Sequence, residues 1–240
     1  MSRNRTRTIS CQRCGKSFDV LIWDSLNADT DPEQREEIKK GTFNRYKCPD
    51  CGFTMILQYS CLYTDMSHAK QVFVIPTDFD KRLEEANRYF DLLEKKELQT
   101  VADIADNCSF RAVHDFSELR EKVNMWDNGF DDAAMELYKA MTRAWLETQD
   151  DRGKAVSKAF FSSENGKDEI EILFEDGSAG SVDFIPDLYR DISAKHGDDL
   201  KSALKSRCFN VVDFDFAVNY MGGALTDNDP DSEIVEGTFT

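Results

Sequence analysis

Four cysteines carry the clearest chemistry in the chain. They form two Cys-x-x-Cys pairs, Cys11-Gln12-Arg13-Cys14 and Cys48-Pro49-Asp50-Cys51, each followed at once by a glycine, Gly15 and Gly52. Two thiolates two residues apart grip one metal ion only when the chain turns sharply between them, and glycine after the second permits the positive φ of such a knuckle. Backbone N–H groups in that turn point at the sulfurs and favour the thiolate form. Two knuckles supply four thiolates, a full tetrahedral set for one Zn²⁺ that leaves no position for water, so the expected ion is structural rather than catalytic. Its contribution is folding energy for a segment with little core of its own. A redox pair needs a single Cys-x-x-Cys at a helix start within a βαβ unit. Here both pairs are flanked by strand-like segments, the pattern of a zinc ribbon.

Other chemistry is weaker. Cys61, Cys108 and Cys208 sit in or beside apolar stretches and read as buried thiols. A catalytic cysteine needs a histidine close by, and His68, His114 and His196 all lie in polar surroundings outside any motif. Arg111, His114, Asp115, Asp131 and Asp132 make a polar group that suggests a second site, with Asp131 and Asp132 as paired carboxylates. The plainer account places those acids in the first turn of a helix, where the dipole favours them. Arg3, Arg5 and Arg7 give a basic arm before the first knuckle, with no acid ahead of Asp19. That arm is the one place suited to nucleic acid, and the plainer account is a solvated terminus. Glycine-rich phosphate loops and a GxSxG elbow are missing from the sequence.

The elements that must position these residues come from a chain of 240 residues, enough for one or two domains. With 40% hydrophobic and 11% aromatic residues it can build a core. No apolar run reaches the ~20 residues of a membrane span, and the arginine-rich start has no apolar stretch of a secretory signal behind it. Seven cysteines, an odd number, argue against a disulfide framework and for a reducing, cytoplasmic location. A net charge of −16 disfavours wholesale binding to a phosphate backbone.

The periodicity predicts strands over 16–23, 53–63 and 72–75, and a short helix between the knuckles with Asp31 as N-cap, Pro32 at its first position and Gly41 past its end. Helices are expected over 79–97, 117–126 and 131–148, the last capped by Asp131. A polar stretch at 148–153 reads as a linker. Beyond it, strands over 157–163 and 168–175 flank Asn165-Gly166, a hairpin signal, and 181–185 follows as a third. Two short helices, 187–195 and 198–206, are separated by Gly197. A last strand is expected where Val212, Phe214 and Phe216 alternate with Asp213 and Asp215. From Gly222 onward there are five acids and no Lys or Arg, so the tail reads as disordered. The resulting division is a zinc-ribbon-like part at 1–78, a helical part at 79–150, a small α/β unit at 155–220 and an acidic tail at 221–240.

From about Ile9 to Trp145 the chain resembles the CpXC family of bacterial and archaeal proteins, named for paired Cys-Pro-x-Cys motifs. The resemblance rests on Cys11–Gly15, Trp23-Asp24-Ser25, Cys48–Gly52, Tyr63-Thr64-Asp65, Arg111-Ala112-Val113, Glu118–Lys122 and Asp127–Asp132. One departure is plain: the first knuckle reads Cys-Gln-Arg-Cys and lacks the proline, which stiffens the turn but donates no ligand. The resemblance implies a zinc-ribbon-like domain and transfers no activity; the segment after Lys154 lies outside it. The combined expectation is an α+β protein in which Cys11, Cys14, Cys48 and Cys51 hold one structural Zn²⁺. It reads as a binding or adaptor module with a protein partner, in the cytoplasm and away from membranes. A nucleic-acid-binding ribbon and an enzyme with a site near Arg111 and Asp132 are the alternatives.

Overall fold

The computed structural model describes residues 2–94, 107–149, 155–164 and 166–227. The architecture is α+β. Strand β1 (Arg3–Ser10) folds back antiparallel on β2 (Ser17–Asn27) through the first Cys-x-x-Cys turn. Helix α1 (Pro32–Lys39) then leads to a second, smaller hairpin, β3 (Arg45–Lys47) and β4 (Thr54–Ile56), joined by the second Cys-x-x-Cys turn. Next come β5 (Cys61–Asp65), β6 (Lys70–Val74), helix α2 (Phe79–Glu94) and β7 (Ser109–Val113). Helices α3 (Phe116–Asp127) and α4 (Asp132–Gln149) precede a three-stranded meander of β8 (Val156–Glu164), β9 (Lys167–Phe174) and β10 (Ala179–Asp183). Helix α5 (Pro186–Ala203), the short strand β11 (Asn210–Val211) and helix α6 (Phe214–Asp227) complete the described chain.

The main sheet is mixed and six-stranded, in the order β1-β2-β5-β6-β7-β11. Side chains alternate across its two faces with period two. On one face Cys61, Tyr63, Val72, Val74 and Val113 pack with Leu119, Val123 and Trp126 of α3 and Ile38 of α1. On the other, Leu62, Phe73, Phe110 and Ala112 pack against Phe90 and Leu83 of α2. The parallel β6–β7 pair is therefore bridged by an element lying on one face, as a crossover requires. A second core joins α4 to the meander, with Met135, Leu137 and Tyr138 against Phe161, Ile170 and Ile172. Although β11 comes from the stretch expected as a separate C-terminal unit, it pairs in parallel with β7 at the edge of the main sheet.

Several sequence expectations are corrected here. The stretch 53–63 is two strands, because Thr54–Ile56 must pair with β3 while Cys61–Asp65 belongs to the main sheet. The arginine arm is not a loose terminus; it is β1, paired along its length with β2. Asp31 precedes α1 but does not cap it: its carboxylate takes the hydroxyls of Ser2 and Thr30. Gly197 does not end a helix. It lies inside α5, whose Tyr189, Ile192 and Leu200 keep one buried face, against a glycine cost of ~1 kcal/mol. The last strand expected over 212–216 does not form: a short strand, Asn210–Val211, precedes it, and the alternating Asp and Phe residues are the cap and first turn of α6, where Asp213 accepts the N–H of Phe216 at 3.0 Å. β7 carried no prediction. The far end of the 79–97 helix, most of the linker and positions 228–240 of the tail lie outside the described residues, while 222–227 is helical.

Six buried charges join these layers. Arg111 on β7 donates from Nε and Nη2 to both oxygens of Asp132 at 2.7 and 3.0 Å. Lys122 on α3 donates to the same carboxylate at 3.0 Å and to the Val212 carbonyl at 2.9 Å. Lys139 on α4 lies 2.8 Å from Glu121 and 2.9 Å from Glu136, and Glu121 also accepts the Phe161 N–H of β8 at 2.7 Å. Burial alone would raise the Asp132 carboxyl, but Arg111 and Lys122 outweigh it and hold it far below the ordinary carboxylate range.

Asp132→Asn leaves both Arg111 and Lys122 short of compensation in the interior. The expected loss is about 3–5 kcal/mol in urea unfolding at neutral pH. Because the folded-state pKa is depressed, that contribution is present above the ordinary carboxylate value near 4 and is lost as pH falls below it. The gap between the two proteins should therefore narrow in acid. A gap under ~1 kcal/mol at neutral pH contradicts this assignment.

Candidate metal centre

The two knuckles are built alike. In the first, the Cys11 N–H donates to the Lys16 carbonyl at 2.8 Å and the Gly15 N–H to the Cys11 carbonyl at 2.9 Å. In the second, the Cys48 N–H donates to Phe53 at 2.8 Å and the Gly52 N–H to Cys48 at 3.0 Å. Gly15 and Gly52 take φ of +74° and +71°, the left-handed conformation that a side chain would resist. Each turn is closed by the hairpin it connects, so the register of β1 with β2 and of β3 with β4 presents the sulfurs in pairs.

The four ligand atoms of Cys11, Cys14, Cys48 and Cys51 all lie within 4.8 Å of one another. The Sγ atoms of Cys11 and Cys51 are 3.6 Å apart, and those of Cys14 and Cys48 are 3.8 Å apart. A tetrahedron with metal–sulfur bonds of about 2.3 Å has edges of roughly 3.8 Å, so the sulfurs already stand at ligand spacing. Cys11 and Cys48 are buried against Met55, with Ile9, Phe18 and Phe53 around them, while Cys14 is exposed. Lys16 pairs with Asp50 across the two knuckles and tethers one turn to the other.

Electrostatics make four bare thiols an uneasy group. The N–H of Cys14 aimed at the Cys11 sulfur outweighs burial and, with the Arg13 N–H, brings that thiol down to about 7. At Cys14 the Lys16 N–H pulls downward, but burial and hydrogen bonding with Cys51, Cys11 and Cys48 prevail and push the thiol up to about 12. Packing four sulfurs this closely suppresses full ionisation, and a bound dication removes the conflict. The residues present therefore fit a closed four-thiolate metal site.

The other sequence-predicted residues disperse. His68 places its Nδ1 3.0 Å from the buried Asp65 carboxylate, within a group that includes Arg35 and Asp127. That group fixes α1 to the end of α3, with Lys39 also 2.6 Å from Asp127. His114 stacks on Phe79 with ring centroids 3.9 Å apart. Asp115 caps α3 by accepting from Ser117 and Glu118, and Asp131 caps α4 by accepting from Ala133 and Ala134. Asp131 and Asp132 thus serve separate partners and do not form a carboxylate pair. Cys61 is buried and its thiol is pushed up to about 12 by desolvation, whereas Cys108 and Cys208 are half-buried rather than fully enclosed. Arg3 and Arg5 lie 3.9 and 2.9 Å from Asp24 on the neighbouring strand. Glu121, Lys122, Glu136 and Lys139 are functional-looking charges that the sequence reading passes over. Their only signal is charge set among the apolar positions of α3 and α4, beside Leu119, Val123, Leu137 and Tyr138.

Fold and site together define an α+β protein whose two hairpin turns gather four cysteines into a metal-competent cluster. A model of the CpXC protein family matches residues 9–139, more than half of the chain. The chain belongs to the CpXC family. No curated protein and no solved structure matches it.

Since metal binding must displace thiol protons, affinity should rise with pH. Loss of even one proton per ion gives roughly a hundredfold weaker binding at pH 6 than at pH 8, readable by chelator competition. A pH-independent affinity would rule out thiolate ligation. Cys48→Ser should release the ion and raise amide exchange over 9–18 and 45–56. The helices α3 and α4, whose buried residues lie in other cores, should stay protected.

Proposed function

We propose that this CpXC protein is a zinc-stabilised binding module, working in the cytoplasm on a protein partner. The observation that carries the reading is the four-sulfur cluster at tetrahedral spacing. Zinc suits it because four thiolates satisfy a d¹⁰ ion with no demand for another geometry, and the reducing cytoplasm keeps the thiols available. A ribbon-like pair of knuckle hairpins so closed has no position for substrate water. Its task is to hold β1 and β2 in place. β1 is the outer strand of the main sheet and every residue in it except Ile9 is exposed. Such an edge accepts an extended segment of another protein by strand addition.

Elemental mass spectrometry on protein purified without added zinc, alongside a free-thiol count, tests the metal. One zinc per chain is expected, with three of the seven cysteines reactive under denaturing, metal-retaining conditions. No metal and seven reactive thiols would overturn the reading. A photo-cross-linker at Thr6 of β1 tests the binding role: discrete protein adducts that vanish in Cys48→Ser are expected. Nucleic-acid adducts, weakening steeply with salt, would favour the arginine arm instead. The pairing of Arg3 and Arg5 with Asp24 stands against that outcome.

A further inference from the structure

Strand β1 carries Arg3, Arg5 and Arg7 at period two, so all three stand on one face of an extended strand. Arg3 and Arg5 both reach Asp24, as a shared face requires, while Asn4, Thr6 and Thr8 on the other face are uncharged. One carboxylate is thus divided between two largely exposed guanidinium groups, and Arg7 has no ionic partner among the described residues. Exposed pairs of this kind are weak and exchange partners readily. Because β2 takes only the inner side of β1, the outer side also presents unpaired backbone groups.

The complementary pattern occurs in the same chain. Asp229, Asp231 and Glu233 also recur at period two, separated by Pro230 and Ser232. Laid along β1 in either direction, Asp231 falls opposite Arg5, and the two outer acids fall opposite Arg3 and Arg7. Proline is excluded from inner strands but suits an outermost one, where alternate N–H groups face solvent. The ends of the chain also differ in sign. Residues 1–18 include Arg3, Arg5, Arg7, Arg13 and Lys16 with no acid, whereas residues 227–240 hold five acids and no Lys or Arg. Two copies therefore attract head to tail on contact, although each carries −16 overall.

Geometry favours a second copy over the same chain. Phe216, Tyr220 and Met221 hold α6 to the second core, which contains no residue of β1 or β2 among the described residues. That helix begins just after β11, and β11 and β1 are opposite edges of the six-stranded sheet. Five strand spacings separate them, about 24 Å. Asn228 alone stands between the end of α6 and the first of the three acids, too short a connection to cross that width.

Given the reading of β1 as a strand-accepting edge, on which this rests, we propose that β1 of one copy receives segment 229–233 of a second copy as an added strand. Arg3, Arg5 and Arg7 then face Asp229, Asp231 and Glu233. Each copy gives one segment and receives one, which closes a two-fold dimer rather than an open chain.

The test is sedimentation velocity on the full, metal-replete chain. A dimer is expected, weakened roughly tenfold or more between about 50 and about 500 mM NaCl. Two charge-reversed proteins, Arg3→Glu/Arg5→Glu/Arg7→Glu and Asp229→Lys/Asp231→Lys/Glu233→Lys, should each be monomeric alone and dimerise when mixed, since each then meets its opposite. A monomeric wild type, a dimer indifferent to salt, or reversed proteins that stay apart on mixing would each overturn the proposal. If a thermal melt shows that the arginine variant does not fold, Arg7→Glu takes its place because it gives up no ionic partner. It should weaken the dimer at least threefold, and an unchanged dimer overturns the proposal. The photo-cross-linker at Thr6 separates this inference from the broader reading of the edge. In purified protein an adduct to residues 228–240 of a second copy supports it. Adducts to other proteins alone would overturn the self-association and leave the binding role of β1 standing; the lack of any protein adduct would overturn both.

Discussion

The carboxylate of Asp132 is the point through which the two halves of the chain are tied. It is fully enclosed, yet it receives both forks of Arg111 from the main sheet and the ammonium of Lys122 from α3. Lys122 in turn reaches the carbonyl just beyond β11, so one ionic group fixes β7, α3, α4 and the last strand of the sheet. Ions are costly to bury, and such a group is tolerated only when lone pairs and protons are matched. That requirement sets geometry as well as energy: α4 must begin where Asp132 meets both cations. The adjacent Asp131 turns to its own helix and caps it. Successive residues of a helix point about 100° apart, which lets two neighbouring aspartates serve different masters.

The opposite end of the sheet meets the same need for order by other means. Around the knuckles the enclosed apolar set is only Cys11, Cys48 and Met55, too little to hold two hairpins. The four cysteines gathered there could hold a metal ion. Farther along the same strands, Val20, Ile22 and Leu26 enter the large core with α1 and α3. The N-terminal segment thus has more apolar core than its cysteine content suggests. The sheet runs from β1, which leads into the first cysteine turn, to β11, just before the Val212 carbonyl that Lys122 reaches.

This division also explains what is legible in the sequence. Cys11, Cys14, Cys48 and Cys51 announce themselves because a knuckle is local: a few residues and a glycine contain its whole logic. The β8–β9 hairpin is visible for the same reason, and so are α3 and α4, whose apolar stripes are long. Arg111, Lys122 and Asp132 are separated by up to 21 positions, and nothing local marks them as partners. Charge within an apolar stripe is the available sign, and in most helices such a charge simply reaches solvent. β1 escapes because both its faces are exposed, so no hydrophobic alternation exists to detect. Asp213-Phe214-Asp215-Phe216 misleads in the reverse sense. Alternation over four residues fits a strand, but a capping aspartate before an apolar turn fits it equally, and the packing of Phe216 and Tyr220 against the second core decides for the helix.

The interior ionic group is itself neutral, with Arg111, Lys122 and Lys139 set against Asp132, Glu121 and Glu136. The excess of −16 therefore comes from the other charged residues of the chain. A field of that sign acts on what comes within about 8 Å of the surface at physiological salt, beyond which it is largely screened. The arginines of β1 are a local exception, and Asp24 already draws on two of them. Close to the surface, negative charge of this kind favours cations over anions.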